Sequence, residues 1–147
     1  MKIETIKKIL TSNTGIGATL VRVPVGFILT AHGAQKLFGW FGGYGLEGTG
    51  QWMASVGFEP GFLMALLAGC AEFFGGIALF LGLLTRPAAV FTAFTMLVAI
   101  TVHLGNGLFI SGNGYEFALS LLAITTALNF LGGGELSVDQ YIVKKLN

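Results

Sequence analysis

The sequence between Gly61 and Leu84 reads GFLMALLAGCAEFFGGIALFLGLL and carries one charged residue, Glu72, near its centre. A helix needs about 20 apolar residues to cross the hydrocarbon core of a bilayer. This stretch therefore predicts a transmembrane helix with an acid at mid-depth. A charge at that depth costs roughly 3 kcal/mol on insertion scales, so Glu72 requires polar partners from other segments of the chain.

The overall composition supports a membrane protein. Of the 147 residues only 10% are charged, whereas soluble domains carry about a quarter, so the chain lacks the polar cover that a soluble surface needs. The 23 glycines suit helices that approach one another closely in a membrane. The net charge of +1 argues against a nucleic-acid partner. A single cysteine, Cys70, excludes an internal disulfide and a multi-cysteine metal site.

Four apolar segments predict an all-α integral membrane protein, a bundle of four transmembrane helices in one domain, 1–147. The predicted spans are about 15–38, 61–84, 88–105 and 115–131. Residues 39–60 and 106–114 are predicted to be loops, the first folding over the mouth of the bundle. A tail, 132–147, contains Ser137 and Gln140 at the spacing that begins a capped helix.

The basic residues outside the spans predict the orientation. They lie at the N-terminus, in the 84–87 turn and at the C-terminus, whereas the two long loops have neither Lys nor Arg. The positive-inside rule then puts both termini in the cytoplasm and the two loops outside. The bilayer is accordingly the first predicted partner of the chain.

The first span places three polar side chains on one face. At 100° per residue, Arg22, His32 and Lys36 fall within about 80° of arc, so that face turns toward neighbouring helices or a water-filled cavity. Arg22 lies about 9 Å and Glu72 about 18 Å from the cytoplasmic edge at 1.5 Å per residue. An arginine side chain closes much of that difference. We therefore predict an ion pair between Arg22 and Glu72.

The other polar groups lie in the outer half of the membrane. His32 and His103 are predicted to lie at the same depth, while Lys36 and Glu116 lie near the outer boundary of the membrane. These depths predict a pocket that opens outward, with Glu72 at its floor. The simpler alternatives remain open: the ion pair only sets the helix register, Lys36 snorkels to the interface, and Glu116 caps the fourth helix. Two histidines are too few to predict a metal site.

Several motifs, in their order and spacing, resemble those of a known family. The first span contains RVPVGFILTAHGAQKLFGW (22–40) and the second AEFFGGIALFLGLLTRPAAV (71–90). The third span carries His103, the fourth opens at Glu116, and the chain closes with GGGELSVD (132–139). Over about residues 16–140 the sequence resembles the DoxX family of small four-helix bacterial inner-membrane proteins.

The resemblance implies a link to redox metabolism. The family is named after a subunit of a thiosulfate:quinone oxidoreductase, and its members are often described as oxidoreductases, although many have no assigned activity. Related proteins are associated with quinone or catechol detoxification and with thiol-linked oxidative-stress complexes. By position, the family's recurring polar sites correspond to Arg22, Lys36, Glu72, His103 and Glu116. The chain has no flavin, NAD or haem motif and no redox CxxC, so electrons would pass through a bound quinone or a partner protein.

The first functional hypothesis is therefore a quinone-linked membrane protein whose polar pocket binds a quinone or a similar small aromatic. Proton exchange is assigned to Glu72, His103 and His32 as candidate catalytic residues. Ligand binding is assigned to Arg22, Lys36, Glu72, Glu116, Trp40 and Trp52, with a tryptophan covering the entrance.

Two alternatives remain open at this point. The chain is a non-catalytic membrane anchor or accessory subunit for a soluble oxidoreductase, or, less favoured, a small-molecule or proton-coupled carrier. The sequence leaves open whether the protein is itself an enzyme and whether it forms a homo-oligomer.

Overall fold

The computed structural model describes residues 3–12 and 14–146. In these residues there are seven α-helices and three short 3₁₀ turns, and no strand. The helices are α1 (Ile3–Leu10), α2 (Ile16–Phe38), α3 (Gly45–Ser55), α4 (Gly61–Leu81), α5 (Thr85–His103), α6 (Glu116–Leu131) and α7 (Val138–Lys145). The 3₁₀ turns are Trp40–Gly42, Leu104–Asn106 and Ile110–Gly112.

Three helices are long and apolar enough to cross a membrane. They are α2, α4 and the helical segment Thr85–Asn106, which consists of α5 and the 3₁₀ turn that follows it. The fourth predicted span is present as α6, an apolar helix of 16 residues. At 1.5 Å per residue α6 is about 24 Å long, shorter than the roughly 30 Å of a bilayer core. The all-helical membrane architecture is confirmed, and three of the four predicted spans meet the length criterion.

The start of the third span differs from the prediction. The sequence predicts a turn over 85–87 and a span from residue 88, but α5 already begins at Thr85. Pro87 is the third residue of the helix, where its missing N–H is not needed for an intrahelical bond and its fixed φ suits the first turn. The backbone N–H groups of Leu84 and Thr85 instead donate to the Asp139 carboxylate, at 2.7 and 2.8 Å.

The segment 39–60 is not only a loop. Its central part forms the helix α3, which packs mainly against α4 and also against α2. Glycine at positions 45, 48 and 50 lowers the intrinsic helix propensity of this stretch, which is why the composition indicates a loop. Tertiary packing overrides that preference, because the buried face of Thr49, Gly50 and Met53 lies against the bundle.

The tail forms the predicted capped helix. The Ser137 side chain accepts a hydrogen bond from the backbone N–H of Gln140 at 3.2 Å, which confirms the start of α7. The Asp139 carboxylate described above then joins α7 to the start of α5. These bonds attach the tail to the end of the bundle that contains the α4–α5 turn, here called the tail end. The opposite end, which contains α3 and the α5–α6 loop, is called the loop end.

Glycines set the distance and the register between α2 and α4. A Cβ atom on Gly33 would lie 2.6 Å from the Cα of Phe73, and one on Gly76 would lie 2.5 Å from the backbone N of Thr30. Such separations are far below van der Waals contact, so the two backbones touch where the side chains are missing. The helices therefore fit together in one register, with Gly33 opposite Phe73.

Substitution of this contact is expected to destabilise the fold. We predict that Gly33→Ala lowers the free energy of unfolding by about 3 kcal/mol, because α2 and α4 must separate to admit one methyl group. Gly17→Ala is the matched control on the same helix, where an added Cβ meets nothing within 4 Å. That control is expected to change stability by no more than about 0.5 kcal/mol. Thermal unfolding in detergent measures both; equal effects would contradict the close contact.

Candidate functional site

Glu72 is paired with Lys36. The Lys36 Nζ lies 2.6 Å from the Glu72 Oε2, in a salt bridge between α2 and α4. The Glu72 side chain is 3% exposed, whereas that of Lys36 is 24% exposed. The prediction that Glu72 needs a cationic partner from the first span is therefore correct in kind. Lys36 does not simply extend toward the interface, as the simpler alternative held.

The predicted ion pair between Arg22 and Glu72 is wrong. The Arg22 side chain is 1% exposed. Among the described residues, its guanidinium donates only to backbone carbonyl oxygens. The Nε donates to Gly133 at 2.7 Å, Nη1 donates to Leu79 at 2.9 Å and Phe80 at 2.5 Å, and Nη2 donates to Leu136. Arg22 thus satisfies the last carbonyls of α4 and holds the tail, where helix termini leave acceptors without intrahelical partners.

The packing register explains the error. Gly33 of α2 lies opposite Phe73 of α4, so Glu72 faces the last turns of α2. Arg22 lies 14 residues before Lys36, the residue that does pair with Glu72, which is about 21 Å along the helix axis. Counting depth from the ends of each span underestimates this distance, because it assumes that both helices begin at the same level. No arginine side chain spans that separation.

A cavity of about 590 Å³, called the larger cavity below, lies at the loop end between α2, α3, α4 and α5. Lys36, Glu72 and His103 bring ionisable groups to it, and Trp52 forms part of its wall. The Trp52 and His103 rings lie 6.4 Å apart between centroids at an interplanar angle of 31°. The other lining residues are Gln35, Gly42, Gly43, Tyr44, Gly48, Thr49, Met53, Ala68, Thr95, Val98, Ala99 and Val102.

A second cavity of about 150 Å³ lies on the other side of the ion pair. It shares Lys36, Glu72, Ala99 and His103 with the larger cavity, and it adds His32. Its other walls come from α2, α5, α6 and the α5–α6 loop, through Leu29, Met96, Ile110, Asn113, Gly114, Phe117, Ala118 and Leu121. The ion pair and His103 therefore separate two compartments.

Both histidines have ring nitrogens available for bonding. The Nδ1 of His103 is buried and has no hydrogen-bond partner in the part of the chain that the structure describes. The His32 ring packs against Phe117, with 5.6 Å between ring centroids. Imidazole carries both a donor and an acceptor when neutral, so these two rings add hydrogen-bonding capacity beside the ion pair.

The structure does not bring all the predicted site residues together. Arg22 is at the tail end, far from both cavities. Glu116 begins α6, where its Oε1 accepts a hydrogen bond from the backbone N–H of Ile110 at 2.7 Å, so it orders the α5–α6 loop. Trp40 is exposed and packs on Phe38, with 5.0 Å between ring centroids, outside the residues that line either cavity. Lys36, Glu72, His32, His103 and Trp52 do come together.

The contribution of α3 to the larger cavity is not among the sequence predictions. Tyr44, Thr49 and Met53 line the larger cavity beside Trp52. Thr49 and Met53 are four residues apart, the spacing of one helical face, so a search for helical periodicity in the glycine-rich stretch would have found them. Thr95 on α5 was also missed, since a threonine in an apolar span carries no distinctive signal.

The arrangement is suited to holding a small molecule with oxygen acceptors. Pockets for small ligands typically have volumes of about 300–1,000 Å³ and mostly apolar walls with a few polar groups, and the larger cavity has both properties. A lysine ammonium can donate to a carbonyl or hydroxyl oxygen while it keeps its bond to Glu72, because it has three donors.

Comparison with known proteins gives consistent matches. A family model described as DoxX matches residues 17–105. "Putative oxidoreductase CatD" of Bacillus subtilis is 34% identical over 129 residues, covering 88% of this chain and 89% of that protein. "Inner membrane protein YqjF" of Escherichia coli is 33% identical over 137 residues, covering 88% and 95%. An "Uncharacterized protein" of Haemophilus influenzae is 33% identical, covering 85% and 90%. No solved structure matches the chain.

Proposed function

Since the chain belongs to the DoxX family, we propose that it is an inner-membrane protein of quinone-linked or thiol-linked redox metabolism. It binds a quinone or a similar small aromatic molecule in the larger cavity. The observation that carries the proposal is the 590 Å³ cavity with the Lys36–Glu72 pair in its wall. The names of the B. subtilis and E. coli relatives, an oxidoreductase and an inner membrane protein, agree with it.

A quinone fits the chemistry of this cavity. Its ring is planar and apolar on both faces, while its carbonyl oxygens accept hydrogen bonds in the ring plane. The Lys36 ammonium donates to one such oxygen, and the Trp52 indole offers a flat surface for the ring. Glu72 holds the ammonium in place and offsets its charge. Because Glu72 is 3% exposed and the surrounding walls are mostly apolar, these polar contacts are stronger than they are at a protein surface.

The same groups supply protons. Conversion of a quinone to a hydroquinone adds two electrons and two protons. Two thiols that form a disulfide release two electrons and two protons, so a thiol donor balances the reaction. Lys36 and His103 border the cavity and hold exchangeable protons beside the ligand oxygens, and the Glu72 carboxylate can accept one. The electrons reach the ligand from the donor or from a partner protein.

We further propose that α6 is the fourth span and that both termini face the cytoplasm. The tail end carries Arg86, Lys144 and Lys145, whereas the 39–60 and 106–114 segments at the loop end have neither Lys nor Arg. The cavities then open toward the outer side of the membrane. α6 spans a bilayer locally thinned to match its length, or the α5–α6 loop continues it to the interface.

Tryptophan fluorescence tests the binding proposal. The chain has two tryptophans, of which Trp52 lines the larger cavity and Trp40 does not. Trp40→Phe therefore leaves a reporter at the site. We expect a short-chain benzoquinone to quench its emission along a saturating curve, with a Kd in the micromolar range, because the ring stacks beside the remaining indole.

Trp52→Phe is the matched control, since it leaves only the tryptophan outside the cavity. In this variant, quenching of the Trp40 emission is expected to rise linearly with quinone concentration, because it arises from collisions in detergent and not from binding. Linear quenching in both variants, together with no shift of the thermal unfolding midpoint by quinone, would contradict the proposed function.

A further inference from the structure

The two cavities that meet at the ion pair differ mainly in size, about 590 and 150 Å³. Both are walled mostly by apolar side chains. The smaller is well below the size of common ligand pockets, yet His32, Lys36, Glu72 and His103 all border it. A compartment too small for an aromatic ligand, but lined by four ionisable side chains, requires a different occupant.

Water meets the requirements of the smaller cavity. A polar cavity holds water when it offers at least 10–15 Å³ per molecule and two to four polar partners for each. The volume of about 150 Å³ is enough for several molecules. The unpartnered buried Nδ1 of His103, the second Lys36 proton donor and the His32 ring supply the partners.

The smaller cavity also reaches the surface of the loop end. It extends from Glu72, which is 3% exposed, to Ile110 and Asn113, which are both exposed. The larger cavity does not include these loop residues. The smaller cavity therefore extends from the ion pair to the loop-end surface, on the side of the pair away from α3.

We propose that the smaller cavity is a water-filled proton-exchange site, which connects the Lys36–Glu72 pair to the aqueous surface through His32 and the α5–α6 loop. The ligand and the protons thus reach the pair from opposite sides. The assignment of the larger cavity to the ligand rests on the proposed function, whereas the water path stands on the smaller cavity itself.

The proton step balances without an additional reactant. A ligand oxygen that becomes basic on reduction takes a proton from the Lys36 ammonium, which becomes a neutral amine. A hydronium ion or a protonated His32 in the smaller cavity then returns a proton to the amine and leaves water or neutral imidazole. The ionisable groups beside the pair in this cavity come from two helices: His32 on α2 and His103 on α5. Glu116 on α6 is bound to the Ile110 backbone instead.

Cysteine accessibility tests the water path independently of any ligand. In a Cys70→Ala background in lipid nanodiscs, Ala118→Cys places a thiol in the smaller cavity. Ala65→Cys is the matched control, because both alanines are buried near the loop end and Ala65 lines neither cavity. The probe is 2-aminoethyl methanethiosulfonate, a small cation that reacts with thiolates in water. We expect Ala118→Cys to react at least tenfold faster than Ala65→Cys, and both to react fully after denaturation.

A second pair of variants covers a failure of Ala118→Cys to fold. Leu121→Cys, on the cavity wall, is compared with Leu128→Cys, which lies on the same helix and lines neither cavity. Reaction of the cavity variants no faster than their controls would overturn the proposal.

Modification of Ala118→Cys also tests the function of the path. The attached group fills the smaller cavity, so we expect quinone-linked proton uptake to slow at least tenfold while the quinone Kd changes less than twofold. Unchanged proton uptake would overturn the role in proton exchange. Absence of quinone binding in the unmodified protein would instead refute the proposed function and leave the accessibility result intact.

Discussion

Arg22→Ala is expected to lower the free energy of unfolding by about 4 kcal/mol, a large part of the stability of a domain of this size. The substitution removes a guanidinium that is 1% exposed and takes one donor from each of four carbonyl oxygens. The Leu79 oxygen still accepts from the Gly82 backbone N–H at 3.1 Å and the Gly133 oxygen from the Thr19 hydroxyl at 3.5 Å, so within the described residues the oxygens of Phe80 and Leu136 are the ones left unpaired. Each buried acceptor left unpaired costs about 1–3 kcal/mol, and partial relaxation of the tail reduces the total. Detachment of α7 from the bundle is expected to accompany the loss.

Thermal unfolding and resistance to proteolysis in detergent measure this effect. Arg22→Lys keeps the charge but has one donor nitrogen in place of three, so we expect it to recover less than half of the stability. Glu72→Gln, combined with Arg22→Ala, tests whether Arg22 and Glu72 interact, as the sequence predicts, or do not, as in the structure. If Arg22 and Glu72 are independent, the double variant shows additive effects within about 0.5 kcal/mol. A coupling free energy well above that value would instead support the predicted Arg22–Glu72 ion pair.

Lys36→Met is expected to have the second-largest effect, on stability and on ligand affinity together. It leaves the Glu72 carboxylate buried without its 2.6 Å partner, which costs about 3 kcal/mol. It also removes the ammonium that donates to the ligand oxygen, so we expect quinone affinity to fall at least tenfold. The combined variant Lys36→Met/Glu72→Gln is expected to regain most of the stability but none of the affinity, because the neutral amide needs no counter-ion.

The two readouts are fluorescence titration of Trp52 in the Trp40→Phe background and thermal unfolding. Lys144→Met is the matched control: it makes the same substitution at an exposed position of α7, where neither quantity is expected to change. Unaltered quinone affinity in Lys36→Met would remove the ion pair from the proposed binding site. Failure of the combined variant to regain stability would show that Lys36 stabilises the fold through other contacts.

Most of the fold could be predicted from local pattern. Long apolar segments predict helices because the hydrocarbon core requires every backbone group to be bonded within its own segment. The bounds of α2 and α4 are close to those of the predicted spans 15–38 and 61–84. The spacing of Ser137 and Gln140 correctly predicted the start of α7. α3 was missed because its glycines lower helix propensity, and it forms only where the bundle buries its Thr49–Met53 face.

The candidate site was predicted less completely. Glu72 was recognised because one acid in an apolar span stands out, and Lys36, His32 and His103 because ionisable groups in spans are rare. Trp40 and Glu116 were also predicted from residue type and depth alone, yet neither lines either cavity. Residue type and depth do not show which face of a helix meets which neighbouring helix. Tyr44, Thr49 and Thr95 have ordinary side chains, and only their position at the cavity singles them out.

The sequence by itself determined that this chain is a helical membrane protein with a buried acid that needs a cation from the first span. Only the tertiary structure decided that the cation is Lys36 and that Arg22 holds the tail. The physical reason is the register of two helices. It is determined by backbone contact at Gly33 and Gly76, and the 14 residues between Arg22 and Lys36 correspond to about 21 Å along α2. That distance separates a group that stabilises one end of the bundle from a group that borders the cavities at the other.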